Sequence, residues 1–407
     1  MLQKKDLPKH LYSLDIVRGL AALVVVLWHW QHLLYVDGIP SAYRMEDQPF
    51  YNAFAIFYNF GWIAVDFFFS LSGFVFFWLY ADAIANKRIG GFSFFVVRFS
   101  RLYPLHFATF AFVAVAQFFL HANTGNYFVY QQNDVYRGVL NLFLANSWGL
   151  LPGASFNGPI WSVSVEVLLY FVFFVMCLSF SKRYMLGAAV CAVTGLVVGV
   201  VLPEVGRGLF SFFVGGLTFW LFSRAVLLRR AKAFTTMLTI FVLMLWGLVL
   251  IEYEYSYFGT CLKDLFTMII PEPYQARVPG FAYRVLNLSV VGLVFPCSIL
   301  ALALIEVRSG GIGKRFSMIG NLSYSSYLLH FPLIMIFYVT ANSFGVDQEF
   351  FYSENSLLLF FVVLIPLCMI SYNYFELPMQ WFFRSRLSVN KHAPPKSVVT
   401  GQLDGAV

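Results

Sequence analysis

Ten stretches of about 20 apolar residues recur along this chain, each long enough to cross the hydrocarbon core of a bilayer as a helix. They fall near 14–36, 56–80, 103–120, 161–180, 185–202, 208–223, 234–252, 285–305, 317–341 and 356–376. In hydrocarbon every backbone N–H and C=O must find its partner within the protein, so only helices and closed barrels span. Runs of this length, separated by polar or Pro/Gly-rich breaks, are read as helices. The predicted fold is all-α, a polytopic integral membrane helical bundle of about ten transmembrane helices. Composition excludes a soluble domain: 60% of the 407 residues are apolar and 12% charged, against about a quarter charged in soluble proteins.

The basic residues orient the bundle. With the N-terminus placed inside, 21 Lys and Arg fall in cytoplasmic segments or at their edges and six outside: Arg44, Arg137, Arg207, Lys263, Arg277 and Arg284. This asymmetry predicts cytoplasmic termini, and an even helix count agrees. It also absorbs the formal net charge of +7, which in a soluble chain would suggest nucleic acid. Residues 1–13 read as a cytoplasmic segment and 14–378 as the transmembrane domain. Residues 379–407 read as a basic tail, polar and Pro-bearing after Arg386 and expected to be disordered. The first apolar run lacks a small-residue cleavage site, so it is expected to stay as a helix. Four of the five cysteines lie in apolar runs and none has metal-ligand spacing. Two external segments are long, 121–160 and 253–284, and long loops in a compact membrane domain often carry function.

Topology turns scattered ionisable residues into layers. Arg18 and His29 lie eleven residues apart in LDIVRGLAALVVVLWHW, three helical turns and about 16 Å along one face. His29, Asp66, Glu166 and His330, from four different runs, all fall in the outer half of the membrane when depth is counted from the helix ends. Left unpaired, four such groups would cost on the order of 10 kcal/mol, so they are expected to converge on one polar cavity. A second cluster forms at the cytoplasmic side, where Arg98 and Arg101 open the third helix and Arg18 sits about 6 Å into the first. Planar guanidinium forks suit phosphates, such as those of a nucleotide-like cofactor arriving from the cytosol.

Six motifs in order resemble the acyltransferase 3 family of bacterial membrane O-acyltransferases, of the exopolysaccharide and surface-glycan modifying type. They are Arg18-x10-His29; Asp66 with VDFFFSLSGF; Arg98-x-x-Arg101 before Tyr103 and Pro104; Trp161-Ser162-x-Ser164-x-Glu166; Ser323-Tyr324 with His330-x-Pro332; and Phe375-Glu376-x-Pro378. Val167, Leu329 and Ile16 depart from the family's usual Glu, Trp and Gly. The resemblance implies transfer of an acyl group, most often acetyl, from cytoplasmic acyl-CoA to a hydroxyl of a sugar or glycan, free or lipid-linked. The transfer would take place on the outer side of a bacterial inner membrane, without a metal. With no esterase-like domain appended, the single-domain form is expected. Arg18, Arg98 and Arg101, with Tyr103, would bind the CoA phosphates. His29 would be general base or acyl relay, its imidazole oriented by Asp66 or Glu166. Ser164, Trp161 and His330 would shape the acceptor side or donate to the oxyanion. Two other readings use the same residues. A proton-coupled transporter also buries Asp, Glu and His at mid-membrane, but no inverted repeat is present. A metal site would gather His29, His330, Asp66 and Glu166 on one ion, without any metal motif in their spacing.

Overall fold

The computed structural model describes residues 10–35, 40, 43–311 and 313–387. Most of the predicted cytoplasmic segment 1–13 and most of the predicted tail lie outside these residues. Among the described residues there is no strand, and nine apolar helical stretches are long enough to cross a membrane. One of them, 160–198, holds two helices joined by a single 3-10 turn, Ser181–Arg183. A Cβ on Gly187 would lie 2.6 Å from the Met176 sulfur; in a straight helix eleven residues separate such positions by about 16 Å, so the chain reverses there. Among the described residues the crossings therefore number ten.

They are α1 (Tyr12–His29), α2 (Ala64–Phe76), α3 (Gly91–Thr124), α4 (Ile160–Phe180), α5 (Tyr184–Val201), α6 (Pro203–Ala225), α7 (Ala231–Tyr255), α8 (Phe295–Ser309), α9 (Ser323–Ser343) and α10 (Glu354–Ile370). Helix α1 continues as a 3-10 turn through Leu34, and α2 as a π-helical turn, Phe77–Ala81. Outside the membrane, Asp134 caps the helix Val135–Leu142, and the backbone N–H and guanidinium of Arg137 hold its carboxyl below the usual range.

Two close helix contacts set the frame of the site. Helices α2 and α6 touch backbone to backbone, since a Cβ on Gly73 would meet the Phe212 carbonyl at 1.7 Å and one on Gly215 the Ser70 carbonyl at 1.9 Å. Small residues permit this approach where lipid offers no hydrophobic drive. Helix α1 meets the turn before α9 in the same way, through Gly19 against Ile319 and Gly320 against Asp15. Held between α2 and α9, α1 carries its polar residues into the seam. Helix α7 sits at the periphery, with Met237, Leu243 and Met244 turned outward as lipid-facing residues are.

Two segments differ from the sequence expectation. Helix α3 starts at Gly91, twelve residues before the predicted apolar run and ahead of Arg98, with Pro104 inside it. Arg384 clasps the segment ahead of that proline, donating to the Ser100 hydroxyl and the Val97 carbonyl. Residues 379–386, assigned to the polar tail, belong to a helix, Leu377–Arg386, that carries this arginine. In α9, Pro332 has no N–H for the Leu328 carbonyl, and the Asn157 side-chain amide reaches that carbonyl at 3.4 Å.

Candidate functional site

A cavity of about 700 Å³, counting its open mouth, opens among α1, α2, α3, α4 and α9. Arg18, Arg98, Arg101, Ser72, Glu166, Ser323 and Tyr327 all line it. The three arginines predicted from the sequence therefore meet in one place. Arg18 is already engaged: its Nε donates to Ser323 Oγ at 3.1 Å, and its terminal nitrogen donates to the Gly320 carbonyl at 3.0 Å and pairs with Asp15 at 3.1 Å. Arg98 is different. It is 3% exposed, with its guanidinium carbon 4.2 Å from the centre of the Phe76 ring and 4.6 Å from that of Tyr80. Among the described residues its Nε and one terminal nitrogen have no hydrogen-bond partner. A buried cation with idle donors beside a cavity is a place for an anion.

The four ionisable groups expected at one level form three separate places, so the single polar cavity is corrected. His29 and His330 meet across α1 and α9, with His330 Nε2 3.2 Å from His29 Nδ1. Each ring also has its Nδ1 near a backbone carbonyl, Val25 at 2.8 Å for His29 and Ser326 at 3.1 Å for His330. A carbonyl only accepts, so both Nδ1 atoms carry hydrogen in the neutral rings, and that of His29 is shared between Val25 O and His330 Nε2. His29 Nε2 is then the lone-pair nitrogen, as a general base requires. A third buried imidazole, His32, stands 5.0 Å from His29 between ring centroids, with its Nδ1 unpartnered among the described residues.

Neither carboxylate touches the histidines, which corrects the expected orienting role of Asp66 or Glu166. Asp66 accepts from Arg207 of α6 at 2.6 and 3.3 Å and from Ser211 at 3.2 Å. That arginine lies over Trp62 and Trp161, 4.9 and 5.3 Å from their ring centres, so Trp161 packs on an ion pair. Glu166 accepts from Ser72 at 3.0 Å and from Tyr170 at 2.7 Å, at the arginine cavity. The four-ligand metal arrangement is thus not assembled.

Two more expectations move by half a helical turn. Residues two apart on a helix point about 200° away from each other. Ser162 and Glu166 therefore face the cavity, while Ser164 faces away and accepts from the Ser147 backbone N–H at 3.1 Å. By the same rule Arg101 lines the cavity and Tyr103 does not; Tyr103 stacks on Phe99 at 4.3 Å instead. In its place Tyr324 lines the cavity, donating to the Leu102 carbonyl. Sequence reasoning quoted Tyr324 in a motif without giving it a role, and gave none to Tyr327, Arg207 or His32. His32 was legible, lying one turn beyond His29 on the same face; Arg207 was hidden by its place near the end of an apolar run.

Along α9 the two centres join. Ser323 holds Arg18, Tyr327 lines the top of the cavity with its ring 6.0 Å from that of His330, and His330 holds His29. Comparison with known proteins bears on what such a path does. Residues 11–372 match the family described as an acyltransferase domain. A curated relative, Acyltransferase MdmB of Streptomyces mycarofaciens, is 34% identical over 164 residues, which is 40% of this chain and 38% of that protein. The chain thus aligns with less than half of that relative's length. No solved structure matches the chain.

Proposed function

Given that the chain belongs to the acyltransferase 3 family and is an integral membrane acyltransferase, we propose that it moves an acetyl group from cytoplasmic acetyl-CoA to a hydroxyl of a sugar or glycan on the outer side of a bacterial inner membrane. The observation that carries this reading is the arginine-lined cavity, linked to the histidine pair by the α9 side chains Ser323, Tyr327 and His330. The idle donors of Arg98 suit the phosphates of CoA, with Arg101 beside them and Arg18 pre-oriented by Asp15 and Ser323. The pantetheine arm then follows α1 upward, across the three turns that separate Arg18 from His29.

At the upper end His29 Nε2 takes the proton of the acceptor hydroxyl as its oxygen attacks the thioester carbon, and returns that proton to the departing sulfur. His330 does what the carboxylate of a triad does elsewhere: its Nε2 accepts from His29 Nδ1–H and fixes the tautomer. An arginine-rich entry on the side richest in basic loops agrees with a donor from the cytosol.

The test uses the purified full chain in detergent, labelled acetyl-CoA and a panel of monosaccharides: glucose, galactose, mannose and N-acetylglucosamine. Labelled ester together with free CoA thiol, formed by wild type and abolished in His29→Ala, is the expected result. Equal turnover by His29→Ala overturns the role of that residue. Wild type that binds acetyl-CoA yet transfers to none of the panel overturns the sugar acceptor. Wild type that neither binds nor consumes acetyl-CoA overturns the donor.

A further inference from the structure

Between the arginine cavity and the histidine pair stands the Tyr327 hydroxyl. It lies 2.6 Å from Ser162 Oγ and 3.0 Å from the Pro159 carbonyl, which Ser162 Oγ also approaches at 3.3 Å. Both residues line the cavity, and the Tyr327 ring is packed 5.9 Å from that of Phe68. Three oxygens here share two hydroxyl hydrogens. Pro159 caps the N-terminus of α4, so its carbonyl already takes the first intrahelical N–H. In the structure the tyrosine hydroxyl donates to that carbonyl; with Ser162 donating to Tyr327 Oη, the tyrosine's hydrogen can leave the carbonyl for an acceptor in the cavity. A hydroxyl that accepts one hydrogen bond donates a stronger one.

The level of this group is what gives it a role. On α9, Tyr327 is four residues beyond Ser323, which holds Arg18, and three before His330, about 6 Å and 4.5 Å of helical rise. A thioester with its phosphates on the arginines and its reacting carbon beside His29 brings its carbonyl oxygen to the level of Tyr327. We propose that Tyr327 donates a hydrogen bond to that oxygen as it becomes an oxyanion, and that Ser162 is its positioning residue. This rests on the acyl-transfer reading above. As His29 Nε2 takes the acceptor proton, the acceptor oxygen bonds to the carbonyl carbon and the C=O π pair moves onto oxygen. Tyr327 keeps its proton and donates to the oxyanion. When C=O reforms, the C–S bond breaks and the sulfur takes the proton from His29.

The test compares wild type, Tyr327→Phe and Ser162→Ala as purified full chains, measuring kcat and KM with acetyl-CoA and the best acceptor of the panel, and CoA affinity by calorimetry. Phenylalanine keeps the ring packing and loses only the donor. In Tyr327→Phe kcat falls about 10²–10³-fold, as when an oxyanion donor is removed, while KM for acetyl-CoA and CoA affinity stay within about threefold of wild type. Ser162→Ala, which leaves the tyrosine in place, lowers kcat about tenfold with affinity again unchanged. Wild-type kcat in Tyr327→Phe, or a loss confined to KM or CoA affinity, overturns the proposal while leaving acyl transfer standing. If wild type itself transfers no acyl group, the acyl-transfer reading falls and this inference with it.

Discussion

Replacing Arg98 by methionine is expected to move stability and donor affinity in opposite directions. Arg98 is buried, with two of its nitrogens lacking an acceptor among the described residues. Each unsatisfied buried donor costs about 1–3 kcal/mol, and more when charged. The guanidinium recovers part of this from the faces of Phe76 and Tyr80, about 0.5–2 kcal/mol for a desolvated cation–π contact. Methionine fills a similar volume with no polar atom, so the unliganded variant is expected to be about 1–3 kcal/mol more stable than wild type. Donor binding reverses the balance. A hydrogen bond between charged partners contributes about 1.5–3 kcal/mol, so the variant should bind CoA about 10–200-fold more weakly. The assay is thermal unfolding of detergent-purified protein with and without CoA. Wild type should start lower and rise with CoA; Arg98→Met should start higher and scarcely respond. A variant less stable than wild type without ligand, and still protected by CoA, would refute the claim that Arg98 is held in reserve for an anion.

Three further outcomes follow from the same contacts. Asp66→Asn leaves Arg207 without its anion and should destabilise the protein by about 1–3 kcal/mol, less than a fully buried pair because that arginine is 33% exposed; Asp66→Asn with Arg207→Gln should recover part of the loss in thermal unfolding. Gly73→Ala puts a methyl 1.7 Å from the Phe212 carbonyl and should cost about 1–3 kcal/mol or more, read as a lower melting temperature or loss of the monodisperse peak in size exclusion. Ser164→Ala should leave kcat and KM within about threefold of wild type, because that hydroxyl faces the 143–150 loop; a larger fall in kcat at unchanged stability would return Ser164 to the site.

What could be read from the sequence was what depends on hydrogen-bonding and period. Lipid forces helices, so run length located all ten, but not their ends: the third begins at Gly91, ahead of its apolar run, where Arg384, some 280 positions away, clasps Ser100, and the last helical segment runs on to Arg386. The meeting of Arg18, Arg98 and Arg101 was legible because one end of the bundle collects them. Depth, however, fixes one coordinate of three. His29, Asp66, Glu166 and His330 were expected at one level, yet the bundle sends Asp66 to Arg207 and Glu166 to Ser72 at the arginine cavity. The rotation errors at Ser164 and Tyr103 were avoidable, for a residue two positions from a cavity-facing one points away from the cavity. The partner of Asp66 was not: nothing local in the sequence ties positions 66 and 207, which meet because Gly73 and Gly215 let α2 and α6 touch.

The central claim is that the donor enters at the arginines and the ester forms at the histidines, across the membrane from the CoA phosphates. Inverted membrane vesicles loaded with the monosaccharide panel test it most directly, with labelled acetyl-CoA supplied only to the outer bath, which is the cytoplasmic face. The account predicts labelled sugar ester inside the vesicles and free CoA thiol outside, in wild type and not in His29→Ala. Ester formed only from sugar on the same side as acetyl-CoA would contradict it.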